Sequence, residues 1–262
     1  MSIQIFKSLW GMDGLMRQNI ERISSAGYDG VEGAVIEIHD HAEFRSLLSE
    51  FSLQYIPLIY TEGSDVSAHI EDFKRLVTLA SEYSPAKIVV HAGRDLWTLD
   101  EQLQFFEKAI AIEKDYGIPI AHETHRRRPL YSPMKATVIL EKFPELKINA
   151  DLSHWCCVTE SMLEDHVDAI ELAAKRTIHI HCRVGYENGP QVSNPRAPEW
   201  ASHLARFELW WKMMLASGNN ITVTPEYGPP TYMQTTPIEN KPVADLWDIC
   251  KWSADRFRTL AG

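Results

Sequence analysis

The chain has 262 residues, 45% apolar and 24% charged, with a formal net charge of −10. That length is close to the ~250 residues of one (β/α)8 barrel, supplies ample apolar material for a core, and does not require two domains. So acidic a balance excludes the electrostatic footprint of a protein that grips a nucleic-acid backbone, and the one local basic run is Arg126-Arg127-Arg128.

Taken in chain order, short β-like runs alternate with longer amphipathic segments. Residues 3–9 predict a first strand. A helix over 12–26 follows, with Leu15, Ile20 and Ile23 on one stripe and Gly27 as its stop. Strand two spans 28–35, a helix 41–51, and strand three 53–60. The helix over 67–83 carries Ile70, Phe73, Val77 and Ala80 at helical spacing. Strand four covers 87–91, followed by a helix over 100–116 that stops at Gly117. Strand five covers 118–123, followed by a helix over 133–143 with Pro133 in its first turn. Strand six covers 146–152, with a helix over 162–175. Strand seven covers 177–182, then a long loop over 184–198 and a helix over 199–216. Strand eight covers 221–226, and the last helix 243–260. Strict strand–helix alternation predicts a parallel sheet. Eight units in this length predict closure, so residues 1–262 are expected to form a single (β/α)8 TIM barrel domain. An open doubly wound sheet would bring a Gly-rich loop after strand one, and Leu9-Trp10-Gly11-Met12-Asp13-Gly14 does not match G-x-G-x-x-G.

No segment is apolar for long enough to span a bilayer. The N-terminus lacks a basic region followed by an apolar run. Cys156, Cys157, Cys182 and Cys250 show neither zinc-finger spacing nor a disulfide framework. A cytoplasmic protein with free thiols is the expectation.

The chemistry of a (β/α)8 barrel sits at the C-terminal ends of its strands. Strands five to eight deliver Glu123, Asp151, His181 and Glu226 to that rim. Each would be costly to bury alone, and the three carboxylates repel one another. A divalent cation resolves both problems. Carboxylates with one imidazole suit Mn, Mg or Co, and Zn is also compatible with the spacing.

At these residues the chain resembles the xylose isomerase-like barrel superfamily, which includes sugar isomerases and epimerases and the type IV endonucleases. Gly27-Tyr28-Asp29-Gly30-Val31-Glu32 resembles a common opening at strand two, and Asp151-Leu152-Ser153-His154 matches a D-x-x-H signature. The resemblance makes Glu123, Asp151, His181 and Glu226 the metal ligands, with Glu123 and Glu226 as the acid–base pair. It makes His154 and Arg183 contacts to substrate oxygens. Its implied activity is a metal-dependent isomerase or epimerase acting on a small carbohydrate through an enediolate. A lyase or dehydratase on a keto-sugar or sugar acid shares that intermediate. An endonuclease-type phosphodiesterase would need more metal ligands and a basic groove, and the net charge argues against the groove.

Several other residues have two readings. Glu32 either binds a substrate hydroxyl or orients a neighbour, and His91 is expected to line the pocket and touch substrate. His179, on the same strand face as His181, is expected beneath the metal. His122 should point outward to the helices, and His125 should reach the rim. Arg126-Arg127-Arg128 is either a solvated run or a grip on an anionic substrate group. The long loop after strand seven reads as a lid or specificity element. Trp10, Tyr60, Trp97, Trp155 and Tyr227 either stack on a sugar ring or roof the barrel, and Trp200, Trp210 and Trp211 serve either packing or a homo-oligomer surface.

Overall fold

The computed structural model describes residues 3–262. Its strands are β1 (Gln4–Ser8), β2 (Gly30–Ala34), β3 (Gln54–Tyr60), β4 (Ile88–His91), β5 (Ile120–Glu123), β6 (Lys147–Ala150), β7 (Thr177–His181) and β8 (Thr222–Thr224). They run parallel in sequential order, and β8 pairs back onto β1 to close a barrel. The fold is the (β/α)8 TIM barrel that the alternation predicts. Closure leaves no strand edge exposed.

The outer layer is formed by α1 (Met16–Ser25), α2 (His41–Glu50), α3 (Val66–Ser81), α4 (Leu99–Tyr116), α5 (Pro133–Lys142), α6 (Leu152–Thr159), α7 (Val167–Arg176), α8 (Ala201–Leu215) and α9 (Leu246–Ala261). Local chemistry sets their ends. Thr98 and Glu101 form a reciprocal capping box at α4. Gly117 stops that helix in the left-handed conformation at φ 65°. Ser132 caps α5 with Pro133 in its first turn.

Three boundaries differ from the sequence expectation by more than two residues. The helix expected from 12 begins at Met16, because Gly11 and Gly14 hold positive φ values of 77° and 98° and keep the chain in turns. The last helix begins at Leu246, where the Asp245 side chain accepts from Asp248 N at 2.8 Å. The helix expected over 162–175 is preceded by a separate one. The chain leaves β6 directly into α6, stops at Glu160 in the left-handed conformation, and re-enters a helix at Val167.

Three apolar regions result, one of them formed by Tyr227, Met233, Ile249 and Cys250 at α9. A large one lies between strands and helices. A small one fills the barrel, where Phe6, Ile56, Leu58, Val89, Ala121 and Ile178 pack together. Gly30 makes room for it, since a Cβ there would fall 2.5 Å from the Phe6 ring. This plug closes the lower barrel, so polar residues higher on the same strands are lifted to the mouth. Trp210 and Trp211 are buried against Phe207, which assigns them to packing within the chain. No helix among the described residues is long and apolar enough to cross a membrane.

Candidate active site

Glu123 ends β5 and His181 ends β7, while Asp151 and Glu226 lie just past β6 and β8. One ligand atom from each falls within 4.8 Å of all the others, and all four residues are buried. His181 Nδ1 stands 3.2 Å from Glu123 Oε2 and 3.2 Å from Glu226 Oε2. On its other side, His181 Nε2 lies 2.8 Å from Glu32 Oε1. A ring that donates from Nε2 to Glu32 presents an unprotonated Nδ1 to the carboxylates, the arrangement that orients a metal-binding histidine.

Glu32 itself lies within β2, fully buried. It also accepts from Thr224 Oγ1 and lies 3.1 Å from His179 Nε2. His179 is tied in turn to Thr222 Oγ1 at 2.6 Å. Both oxygens of Glu32 are engaged by the protein, so of its two expected roles the geometry favours orienting a neighbour over touching substrate.

Glu123 is held by His91 Nε2 at 2.5 Å and by Asn149 Nδ2 at 3.0 Å, both on Oε2. Its Oε1 makes no hydrogen bond, and neither does His181 Nδ1 despite the carboxylates close to it, although both are buried. Orphaned buried polar atoms are rare, and these two belong to the same four-residue group. Three carboxylates and one imidazole at this spacing fit a divalent cation. Glu123 also belongs to a second close group with His91 and His125.

Asp151 is fixed from several directions. Its backbone N donates to Thr124 Oγ1 at 2.9 Å, and its Oδ1 caps α6 by accepting from Ser153 N at 3.0 Å. Its Oδ2 accepts from Arg183 Nη2. Arg183 Nη1 approaches Glu226 Oε2 at 3.5 Å, and Nη2 lies 3.1 Å from His154 Nε2. The protein's own cations therefore thread between its carboxylates. Burial raises the Glu123 pKa, but His91 and His181 outweigh it and hold the group well below the usual carboxylate range. Burial likewise opposes charge on His181, and the carboxylates of Glu226, Glu32 and Glu123 override it and push the pKa well up. For Asp151 burial prevails over Arg183, and the pKa is raised. Burial, with His125 and Arg183, holds His154 well below the usual histidine range.

A cavity of about 690 Å³ opens over this group. Glu226, Arg183, His91 and His125 reach its wall, as do Trp10 and Tyr60. His154 is set back from that wall, with its ring against His125 at a centroid distance of 3.9 Å. Glu32 and His154 thus lie behind the residues that line this cavity. His122 points outward, 2.7 Å from Glu113 on α4. Trp97, Trp155 and Tyr227 are buried in packing.

The long loop after β7 is not a free lid. Val192 N donates to Val184 O at 2.9 Å, and Gln191, 1% exposed, exchanges hydrogen bonds with Gly228 at 3.1 and 2.7 Å. The connection from β8 to α9 reaches the cavity instead, through Tyr232, whose ring lies 5.1 Å from the guanidinium of Arg183. Sequence reasoning did not single out Tyr232, Asn149, Thr224 or His69. For Asn149 and Thr224 a signal existed: each precedes a site carboxylate by two residues and so shares its strand face.

The family model for the xylose isomerase-like TIM barrel matches residues 20–241, and the chain belongs to that family. No curated protein matches it by sequence. Among solved structures it is similar to a D-tagatose 3-epimerase-like protein (TM-score 0.66, 16% identity, 98% of this chain and 96% of that one). It is also similar to the probable 3-DHS dehydratase AsbF of Bacillus anthracis (TM-score 0.65, 15% identity, 97% and 98%). A third is a xylose isomerase-like TIM barrel protein of Mycobacterium smegmatis in complex with magnesium (TM-score 0.62, 11% identity, 99% and 96%). At these identities the likeness is one of fold.

Proposed function

We propose that this protein is a divalent-metal-dependent isomerase or epimerase that moves a proton next to a carbonyl of a carbohydrate or sugar derivative. The observation that carries the reading is the set Glu123, Asp151, His181 and Glu226, with two of its buried atoms making no hydrogen bond, under a cavity of about 690 Å³. A divalent cation held by these four residues would act as a Lewis acid on a substrate carbonyl and hydroxyl and stabilise the enediolate charge.

The remaining work falls to side chains. Glu226 is the carboxylate that faces the cavity, and it is placed to take a proton from a substrate carbon. Glu123 lies a layer deeper, clamped through Oε2 by His91 and Asn149, with Oε1 free as the second proton-handling atom. Arg183 Nη1, also without a hydrogen bond, is placed to hold a substrate oxygen. Trp10 and Tyr60 supply apolar faces for a ring or carbon chain.

The test couples elemental mass spectrometry to solvent-deuterium incorporation across ketoses and sugar acids. Wild type should hold stoichiometric metal, and deuterium should enter recovered substrate or its isomer. Glu226→Gln should slow that exchange by ~10²–10⁴-fold, the usual contribution of a positioned base. Elimination products in place of isomers would move the reading to the lyase. Two ions per chain would favour a multinuclear centre that uses the His91–Glu123–His125 group. No metal under replete conditions would overturn the proposal.

A further inference from the structure

The same cavity that Glu226 reaches is also lined by Arg94 from the β4–α4 connection and by Arg126, Arg127 and Arg128 from the β5–α5 connection. Among the described residues none of the four forms an ion pair, whereas seven arginines elsewhere, Arg183 in the same cavity among them, are paired with carboxylates. Arg128 Nη1 donates to Gly93 O at 3.0 Å, and Arg126 Nη1 reaches Cys157 Sγ at 3.9 Å. The Arg126 guanidinium also lies 5.1 Å from the Tyr232 ring. The chain has 36 acidic residues against 26 basic ones, so four unpaired arginines meeting at one cavity run against the overall balance. Besides Glu226, two carboxylates share this cavity, Glu37 and Glu62, but both are exposed and neither pairs with an arginine.

A further donor stands beside them. His69 on α3 is 1% exposed and lines the cavity. Its Nδ1 is bonded to Thr61 Oγ1 at 2.7 Å, and its Nε2 has no partner. Burial, with Arg128 and Arg94 close by, lowers the pKa of His69, and burial also lowers that of Arg128. The Arg128 charge is partly dehydrated without a counter-charge, which is costly unless a ligand supplies one, and His69 adds an unpartnered ring nitrogen.

We infer that the cavity is a two-ended site whose substrate carries an anionic group, a carboxylate or a phosphate, held by Arg94, Arg126, Arg127 and Arg128 while its carbonyl end lies at Glu226 and Arg183. The inference rests on the isomerase or epimerase reading for what happens at the second end. The first end stands on the arginines alone. Guanidinium groups suit planar, bidentate recognition of either anion. Neutral ketoses leave them unmatched.

The test is calorimetric titration of the metal-replete protein, at fixed ionic strength, with D-gluconate, with inorganic phosphate and with neutral D-tagatose. Deuterium exchange is measured on the corresponding sugar acids, sugar phosphates and neutral sugars. Arg94 and Arg127 make no side-chain hydrogen bond and are not buried, so Arg94→Gln/Arg127→Gln should fold as wild type, with an unchanged Tm as the control. Wild type should bind at least one of the two anions saturably, and the double variant should bind it about tenfold or more weakly, the scale of a lost charge-assisted hydrogen bond. Arg128→Gln, assayed separately, should weaken the same anion. Preference for gluconate assigns a sugar acid, and preference for phosphate assigns a sugar phosphate. No saturable anion binding by wild type, equal binding by the double variant, or exchange of neutral sugars as fast as anionic ones would overturn the inference and leave the isomerase reading intact. Arginine-dependent anion binding without metal or exchange would do the reverse.

Discussion

Glu32 separates two kinds of role that look alike in a sequence. It sits on the inward face of β2, and its carboxylate takes hydrogen bonds from two imidazoles and a threonine. Replacing it with glutamine keeps the volume but leaves one oxygen to serve His179 and His181 together. His181 then loses the partner that keeps its proton on Nε2. Glu32→Gln should therefore weaken metal binding by ~10–100-fold, as loss of such an orienting carboxylate does, measured by calorimetric metal titration. A substrate contact would behave otherwise, with metal affinity unchanged and the loss appearing in KM at saturating metal. The residues at the strand ends were legible because position along a barrel strand assigns them to the mouth. Depth below the rim was not legible. Whether Glu32 and His154 face a cavity or another side chain depends on barrel stagger and on Arg183 lying across Asp151, and neither is written in local spacing. Gly228 is a similar case: a Cβ there would sit 2.1 Å from the Trp10 ring, a contact between residues far apart in the chain.

At the scale of elements, the helices that packed one face inward were read from their stripes, and α6 was missed because it has none. Leu152 to Cys156 are buried in succession, so no polar face sets a period against the apolar one. The legible signal was Asp151 with Ser153 two residues on, a helix N-cap beside a candidate ligand. Strand β4 offers a test at the opposite end of the barrel. Lys87 precedes it, 4% exposed, and donates to Ile178 O at 2.6 Å and Asn220 O at 3.0 Å, bracing the lower ends of β4, β7 and β8. Burial lowers its pKa from 10.5 to about 8. Below that value the amine is charged in both folded and unfolded chains, and the folded one bears the cost of burying it. Between about 8 and 10.5 the unfolded chain binds the extra proton, so stability rises with pH across that window. The full shift corresponds to roughly 3 kcal/mol. Lys87→Met should remove this rise, seen as a wild-type-minus-variant difference in denaturant unfolding that climbs with pH. Parallel curves would show that burial does not lower the pKa of this lysine in the folded chain.

For the molecule as a whole, the net charge and the cavity point in opposite directions. The chain carries −10, yet four arginines line the cavity over the site and leave their charge unpaired. These two facts give opposite signs for the effect of salt on an anion. If an anionic substrate felt mainly the total charge, screening would relieve repulsion and tighten binding. If it felt mainly Arg94 and Arg126 to Arg128, screening would weaken attraction. Distance decides which charges act: raising ionic strength from ~0.01 M to ~0.1 M shortens the Debye length from ~30 Å to ~10 Å and mutes remote charges before near ones. Low-dielectric walls focus the local field further. Binding of D-gluconate or phosphate should accordingly weaken over that salt range, while binding of a neutral sugar stays level. In Arg94→Gln/Arg127→Gln the slope should flatten, because two of the four near charges that set its sign are gone. An anion affinity that rises with salt in wild type would show that the acidic surface governs the approach.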